Sequence, residues 1–203
     1  MFIQVWKGRE VYMKTFYNRE ELAGLGIKSY GENVFIGRNV ILYTPEKLTI
    51  GHDVRIDDFS ILSGEVTLGN YIHISHFCGL YGGDEGIIMK DYSGLSSKVA
   101  VYAVSDDYSG NSMTNPMVPG RYKPGNVGKE VIINRHAIVG AGSVVLPGVV
   151  VGEGSSIGAM SLCVHDTEAW SINTGIPARK TKDREKKLLD LEKEFEKTYG
   201  SKF

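Results

Sequence analysis

From residue 131 the chain reads V-I-INRHAI-VGAGSV-VLPGVV-VGEGSS-IGAMSL-CVHDTE, and an aliphatic residue or cysteine leads every group of six. The leaders are Ile133, Val139, Val145, Val151, Ile157 and Cys163. A small residue or glycine often follows the leader, and a small or aliphatic residue falls four places after it. A period of six is neither the 3.6 of a helix nor the 2.0 of an ordinary strand. It fits a coil with three short flat strands, each turning one leader inward, so that eighteen residues complete a triangular turn. Such a chain is a solenoid, in which each coil packs only on its neighbours.

The same phase runs back through the first half, with leaders at Ile50, Ile56, Leu62, Leu68, Ile74, Leu80, Met89, Leu95 and Val101. Ile36 and Leu42 make an imperfect opening coil. Slips at "YTPEKLT" and "YGGDEGII" read as insertions at corners, which glycine and proline accommodate. One interruption is larger: from Asp106 to about Lys129 the apolar rhythm vanishes, and the repeat resumes near Glu130. A polar stretch of that length inside a regular repeat is expected to be a functional loop.

The ends read as caps. "YNREELAGLG" places Asn18 three residues before Glu21, the pattern of a capping box, with Gly24 as a stop and Gly26 beyond it. "TKDREKKLLDLEKEFEKTYG" sets Leu188, Leu191, Phe195 and Tyr199 on one helical face. The expected organisation is an N-terminal cap over 1–30, a solenoid over 31–179 carrying the loop 106–129, and a C-terminal helix over 180–203.

Composition narrows the class. A net charge of −1 argues against a nucleic-acid binder. Glycine at 25 of 203 residues, against a usual ~7%, signals many tight turns without the every-third spacing of collagen. Cys78 and Cys163 form no CxxC pair and are expected to be buried free thiols. The start "MFIQVWKGRE" lacks a secretory pattern, and no run approaches the ~18 apolar residues of a membrane helix, so a soluble cytoplasmic protein is expected.

The stretch "VIINRHAIVGAGSVVLPGVVVGEGSSIGAMSLCV" followed by "NTGIPARK" resembles the hexapeptide-repeat acyltransferases, and most of all sugar O-acetyltransferases of the galactoside and maltose type and of surface-polysaccharide synthesis. The resemblance covers roughly residues 25–182. It implies an all-β, left-handed parallel β-helix, acetyl-CoA as co-substrate, no metal, and a homotrimer with active sites between subunits. It also implies that the pantetheine arm runs past Gly140, Ala141, Gly158 and Ala159, with a further contact at Val164. Arg179, with Lys180 beside it, would meet the nucleotide end of CoA, where the planar guanidinium suits phosphate.

Direct acetyl transfer to a hydroxyl needs a general base and backbone N–H groups for the oxyanion. In the galactoside enzymes a histidine closes the last hexad before the long loop, and the matching residue here is Asp106. The base is therefore sought at His76, third in its hexad and two coils (~10 Å) below Ala141, or at His73, beside the columns of Arg55 and Gly94. Asp106 or Asp107 from a neighbouring loop could orient either imidazole, or bind the acceptor together with Tyr108, Asn115, Arg121 and Tyr122. His136 stands in a turn position, and His52 and His165 are expected at the surface.

The expected activity is transfer of an acetyl group to a sugar hydroxyl of a cell-surface glycan precursor. The alternative is N-acetylation of a nucleotide-linked amino sugar, since an amine needs a weaker base. A zinc hydratase would require His73, His76 and His136 to converge on one metal, and a non-catalytic scaffold is the remaining reading.

Overall fold

The computed structural model describes residues 15–199. Its three walls are parallel ladders of mostly two- and three-residue strands. The first wall stacks Phe35–Ile36, Arg55–Ile56, His73–Ile74, Gly94–Leu95, Ile138–Val139, Ser156–Ile157 and Ser171–Thr174. The second begins with Ile41–Leu42 and ends with Leu162–Cys163, and the third runs from Ser29–Tyr30 to Val150–Val151. The register follows the hexads: Ile56 pairs with Ile74, Val139 with Ile157, and Val145 with Cys163. All the leaders from Ile50 to Cys163 are buried and form one continuous core.

The corners explain the small residues four places after the leaders. Ser60 donates to the carbonyl of Ser75 and accepts from the Cys78 amide. Ser143 repeats this with Gly158 and Ser161. These hydroxyls satisfy backbone groups that a turn would leave unpaired inside the core. Cys78 occupies the same column, with its Sγ donating to the carbonyl of Ser96 at 3.2 Å.

The two slips are corner insertions. Pro45–Lys47 form a 3-10 turn, and "YGGDEGII" bulges where the eleven-residue strand Gly79–Met89 carries the second wall into the third. Gly64, at φ +79°, faces Gly83 here, and a Cβ would lie 2.2 Å from the Gly83 nitrogen. Only glycine allows these two coils to approach so closely.

The N-terminal cap is the helix α1 (Arg19–Ala23), closed by the reciprocal Asn18–Glu21 capping box and buried through Leu22. Gly24 ends it in a right-handed conformation, and the positive φ falls on Gly26. At the other end the structure departs from a helix beginning at 180. Arg179–Asp183 form a fully exposed strand antiparallel to Ser171–Thr174, and the helix α2 spans Leu188–Tyr199. Lysines and arginines on this strand hide its β character from a hydrophobic pattern. No helix among the described residues is long and apolar enough to cross a membrane.

Burial pushes both thiols, Cys78 and Cys163, up to about 11. At pH 8 only about one in a thousand would be thiolate. Iodoacetamide at that pH is therefore expected to leave both cysteines unlabelled in the folded protein and to label both in guanidinium chloride, as read by intact mass.

Candidate functional site

The first wall and the corner after it carry the polar cluster. Arg55 and Asp57 flank the inward Ile56, and one coil on His73 stacks in register on Arg55. Arg55 Nε donates to Asp57 Oδ1 at 2.6 Å, and His73 Nε2 lies 2.8 Å from Oδ2. His76 Nδ1 lies 3.6 Å from the same oxygen. Asp57 is only 3% exposed, whereas about half of each imidazole faces solvent. Burial alone would raise the Asp57 carboxyl, but the bonds from His73 and Arg55, with the Arg55 charge, outweigh it and hold the group below its usual 3.8. An ionised carboxylate only accepts, so the Nε2 of His73 donates to it.

Within the chain the partner of the imidazoles is Asp57, one coil below. Asp107 instead receives the Ser109 amide at 2.8 Å, and bonds from Ser109 hold its carboxyl below the usual range. Asp106 accepts from the Asn115 amide at 3.3 Å. Asp107 thus closes an Asx turn, and Asp106 ties the start of the loop to a point nine residues on. Asp57 escaped the sequence reading although an available signal existed: an Arg-x-Asp straddling a leader, with histidine one coil on.

The loop leaves the solenoid through a short antiparallel stem, Val104–Ser105 on Val127–Gly128. Lys123 donates to the Asn115 carbonyl and Arg121 stacks on Tyr122. Tyr108 and Met117 are almost wholly exposed, at 94% and 89%. The arm is internally braced and presents large side chains outward.

Above His73 lies a cavity of about 570 Å³. Tyr71 and Tyr92 form one wall and Ser75, Ser97 and Ala141 the other, with His73 and Ile138 below and above. Ser75 and Ser97 share a hydrogen bond of 2.9 Å. The tyrosines belong to a column of corner residues in the left-handed conformation, Tyr71, Tyr92 and His136, with rings stacked at 4.8 and 5.1 Å. α2 seals this column: Glu192 pairs with His136 at 3.0 Å and with Arg135, and Phe195 meets Tyr71 edge-on. His136 is thereby a buried turn residue away from His73 and His76. His52 Nδ1 accepts from the Glu32 amide, and His165 is exposed. No three His, Cys, Asp or Glu side chains among the described residues converge as a metal set.

Farther up the same corner lie Gly140, Ala141, Gly158 and Ala159. A Cβ on Gly140 would meet the Ala159 nitrogen at 2.5 Å, so coil stacking itself demands glycine there. Val164 is half-buried, and Arg179 is exposed, with Nη1 donating to the Ala178 carbonyl. The Lys180 ammonium lies between Glu168 at 2.7 Å and Asp183 at 2.9 Å, and those bonds raise its pKa. Its charge is already matched within the chain.

With this geometry in view, the chain was compared with known proteins. No protein-family profile matches it. It is 42% identical over 184 residues to the dTDP-4-amino-4,6-dideoxy-D-glucose acyltransferase of Escherichia coli, covering 89% of this chain and 95% of the relative. The chain belongs to the hexapeptide-repeat, left-handed β-helix acyltransferases. The acyltransferase is also similar to AntD, an N-acyltransferase from Bacillus cereus, in its complex with dTDP and 3-hydroxybutyryl-CoA. There the TM-score is 0.90 at 45% identity, over 93% of this chain and 100% of AntD. The acetyltransferase domain of PglB from Neisseria gonorrhoeae FA1090, 15% identical at a TM-score of 0.55 over 73% of this chain and 58% of that one, shares the fold.

Asp57→Asn removes the charge that Arg55 and His73 share. Removing one partner of such a buried pair is expected to destabilise by about 1–3 kcal/mol at pH 7. Because the folded carboxyl is depressed, its contribution is full above the unfolded value of 3.8 and fades as pH falls below it. Melting curves of the two proteins should therefore differ most near neutrality and converge in acid.

Proposed function

We propose that this acyltransferase moves an acyl group from acyl-CoA to the amine of a nucleotide-linked amino sugar of the dTDP-4-amino-4,6-dideoxyglucose class. The observation that carries this reading is the 42–45% identity, over nearly the whole chain, to an acyltransferase of dTDP-4-amino-4,6-dideoxy-D-glucose and to AntD, an N-acyltransferase seen in complex with that sugar nucleotide and CoA. It replaces the expectation of a hydroxyl acceptor with the amine alternative. Asp106, standing where galactoside enzymes place a histidine, agrees with it, because an amine needs less help than a hydroxyl once it has lost its proton.

The reaction then runs as direct transfer. The deprotonated amine attacks the thioester carbonyl, the C–N bond forms, the C–S bond breaks, and the departing CoA sulfur receives the proton the nitrogen gives up. His73, oriented by Asp57, is the group placed to carry that proton through Nδ1, with His76 beside it. Ser97 lines the wall where the carbonyl would sit. Crystal structures of AntD include variants of a serine and of an aspartate that stand ten residues apart in that enzyme. Ser96 with Asp106, and Ser97 with Asp107, keep that spacing here, which supports a role for the loop start in holding the acceptor.

The donor would lie along Gly140, Ala141, Gly158 and Ala159, past Val164, with Arg179 as the phosphate anchor; Lys180, already paired, contributes less. The loop leaves at the corner between the second and third walls, whereas His73 lies on the first. Tyr108, Asn115, Arg121 and Tyr122 therefore serve a neighbour's site, which favours a homotrimer. The stacked and half-exposed rings of Phe59 and Phe77, 5.1 Å apart on the corner beside His76, offer apolar surface for such a contact.

Thiol release from acyl-CoA should be measured with dTDP-4-amino-4,6-dideoxyglucose and with its 4-hydroxy counterpart. Turnover with the amine alone is expected; comparable turnover with the hydroxyl sugar would overturn the reading. Arg179→Ala should raise the KM for acyl-CoA about tenfold or more, as for loss of a charge-assisted phosphate contact, with Lys180→Ala changing it less than threefold. Light scattering should give three times the chain mass.

A further inference from the structure

The outward column of the first wall reads Phe35, Arg55, His73, Gly94, Ile138 and Ser156, each in register with the next. Gly94 alone in this series has no side chain. A glycine inside a strand costs backbone entropy and forgoes packing, so it calls for a reason.

The backbone does not supply one. Gly94 is not in the positive-φ region, and the nearest atom to a built Cβ is the His73 carbonyl oxygen at 3.4 Å, an ordinary contact. Gly64 and Gly140 differ, since a Cβ there would strike the next coil's backbone at 2.2 and 2.5 Å. The fold tolerates a side chain at 94; the space above it is what a side chain would take. That space is the floor of the 570 Å³ cavity between the tyrosines and the serines.

We propose that the notch over Gly94 is the acyl subsite and that the missing side chain sets the length of acyl group the enzyme accepts. The inference rests on the donor track given under the proposed function. Ala141 lies on that track and also lines the cavity, so the thioester reaches the cavity at its Ala141–Ser97 side. What extends from the thioester carbonyl across the adjoining wall is the acyl substituent. The notch runs from His73 to Ile138, two coils or ~10 Å, far more than an acetyl methyl fills. Ile138 offers apolar contact, while the hydroxyls of Ser75 and Ser97 offer hydrogen bonds. The chemistry suits a short acyl chain of about four carbons bearing a hydroxyl.

The test uses acetyl-, butyryl- and 3-hydroxybutyryl-CoA with the wild type, Gly94→Ala and Gly94→Val, each first checked for an unchanged melting curve. The wild type is expected to prefer 3-hydroxybutyryl-CoA. Gly94→Val should lower kcat/KM for both four-carbon donors at least tenfold while leaving acetyl-CoA within threefold, with Gly94→Ala between. Calorimetry without acceptor should show the same discrimination in donor affinity. Equal losses with all three donors, a raised KM for the sugar alone, or no change in either variant would overturn the proposal. Should the wild type transfer nothing to a nucleotide amino sugar, yet its acyl-CoA affinities keep the chain-length pattern that Gly94→Val abolishes, the acceptor reading falls and the subsite stands.

Discussion

Everything in this molecule hangs on the parallel hydrogen bonds that join each coil to the next at the same position of the hexad. Because the repeat is constant, a residue at one place in a coil lies directly over its counterpart one turn below, about 4.8 Å away. A linear pattern thus becomes a set of vertical columns. One column is the aliphatic core, another the corner hydroxyls, another the stacked rings of Tyr71, Tyr92 and His136. The left-handed corner conformations of these non-glycine residues are individually unfavourable, and the ladder on either side holds them in place.

The polar cluster shows the same logic put to chemical use. Asp57 is buried by its place next to an inward leader, and a buried carboxylate must be matched. Arg55 satisfies one oxygen from its own strand, and His73 satisfies the other from the coil above. The backbone register thereby brings the imidazole to Asp57, whose carboxylate orients it before any ligand arrives. α2 buttresses the opposite side of the cavity, through Glu192 on His136 and Phe195 on the tyrosines, so the tyrosine wall is supported from behind.

Much of this could be read in the chain. The leaders, the corner insertions, the capping box at Asn18 and the exit of the loop near Asp106 all follow from spacing, because in a solenoid spacing is geometry. The column placing Arg55, His73 and Gly94 together was legible for the same reason. Asp57 was not picked out, since its role depends on a side chain reaching between coils. The strand Arg179–Asp183 was invisible because it is polar throughout and has no apolar residue to mark its pairing. The choice between amine and hydroxyl lies outside periodicity altogether, because the hexads fix the walls and not the acceptor.

The strand Arg179–Asp183 also settles the direction in which the molecule can grow. A parallel solenoid ends in a row of unsatisfied amides and carbonyls, an open template for another chain. Here the first wall's last ladder is answered by a strand of reversed direction whose every side chain is exposed and mostly charged. An incoming strand from a second solenoid would meet the reversed polarity and a row of charged side chains. Fibre-like extension along the axis is thus opposed at that wall, and the faces left open are the flanks, where the loop and the cavity lie.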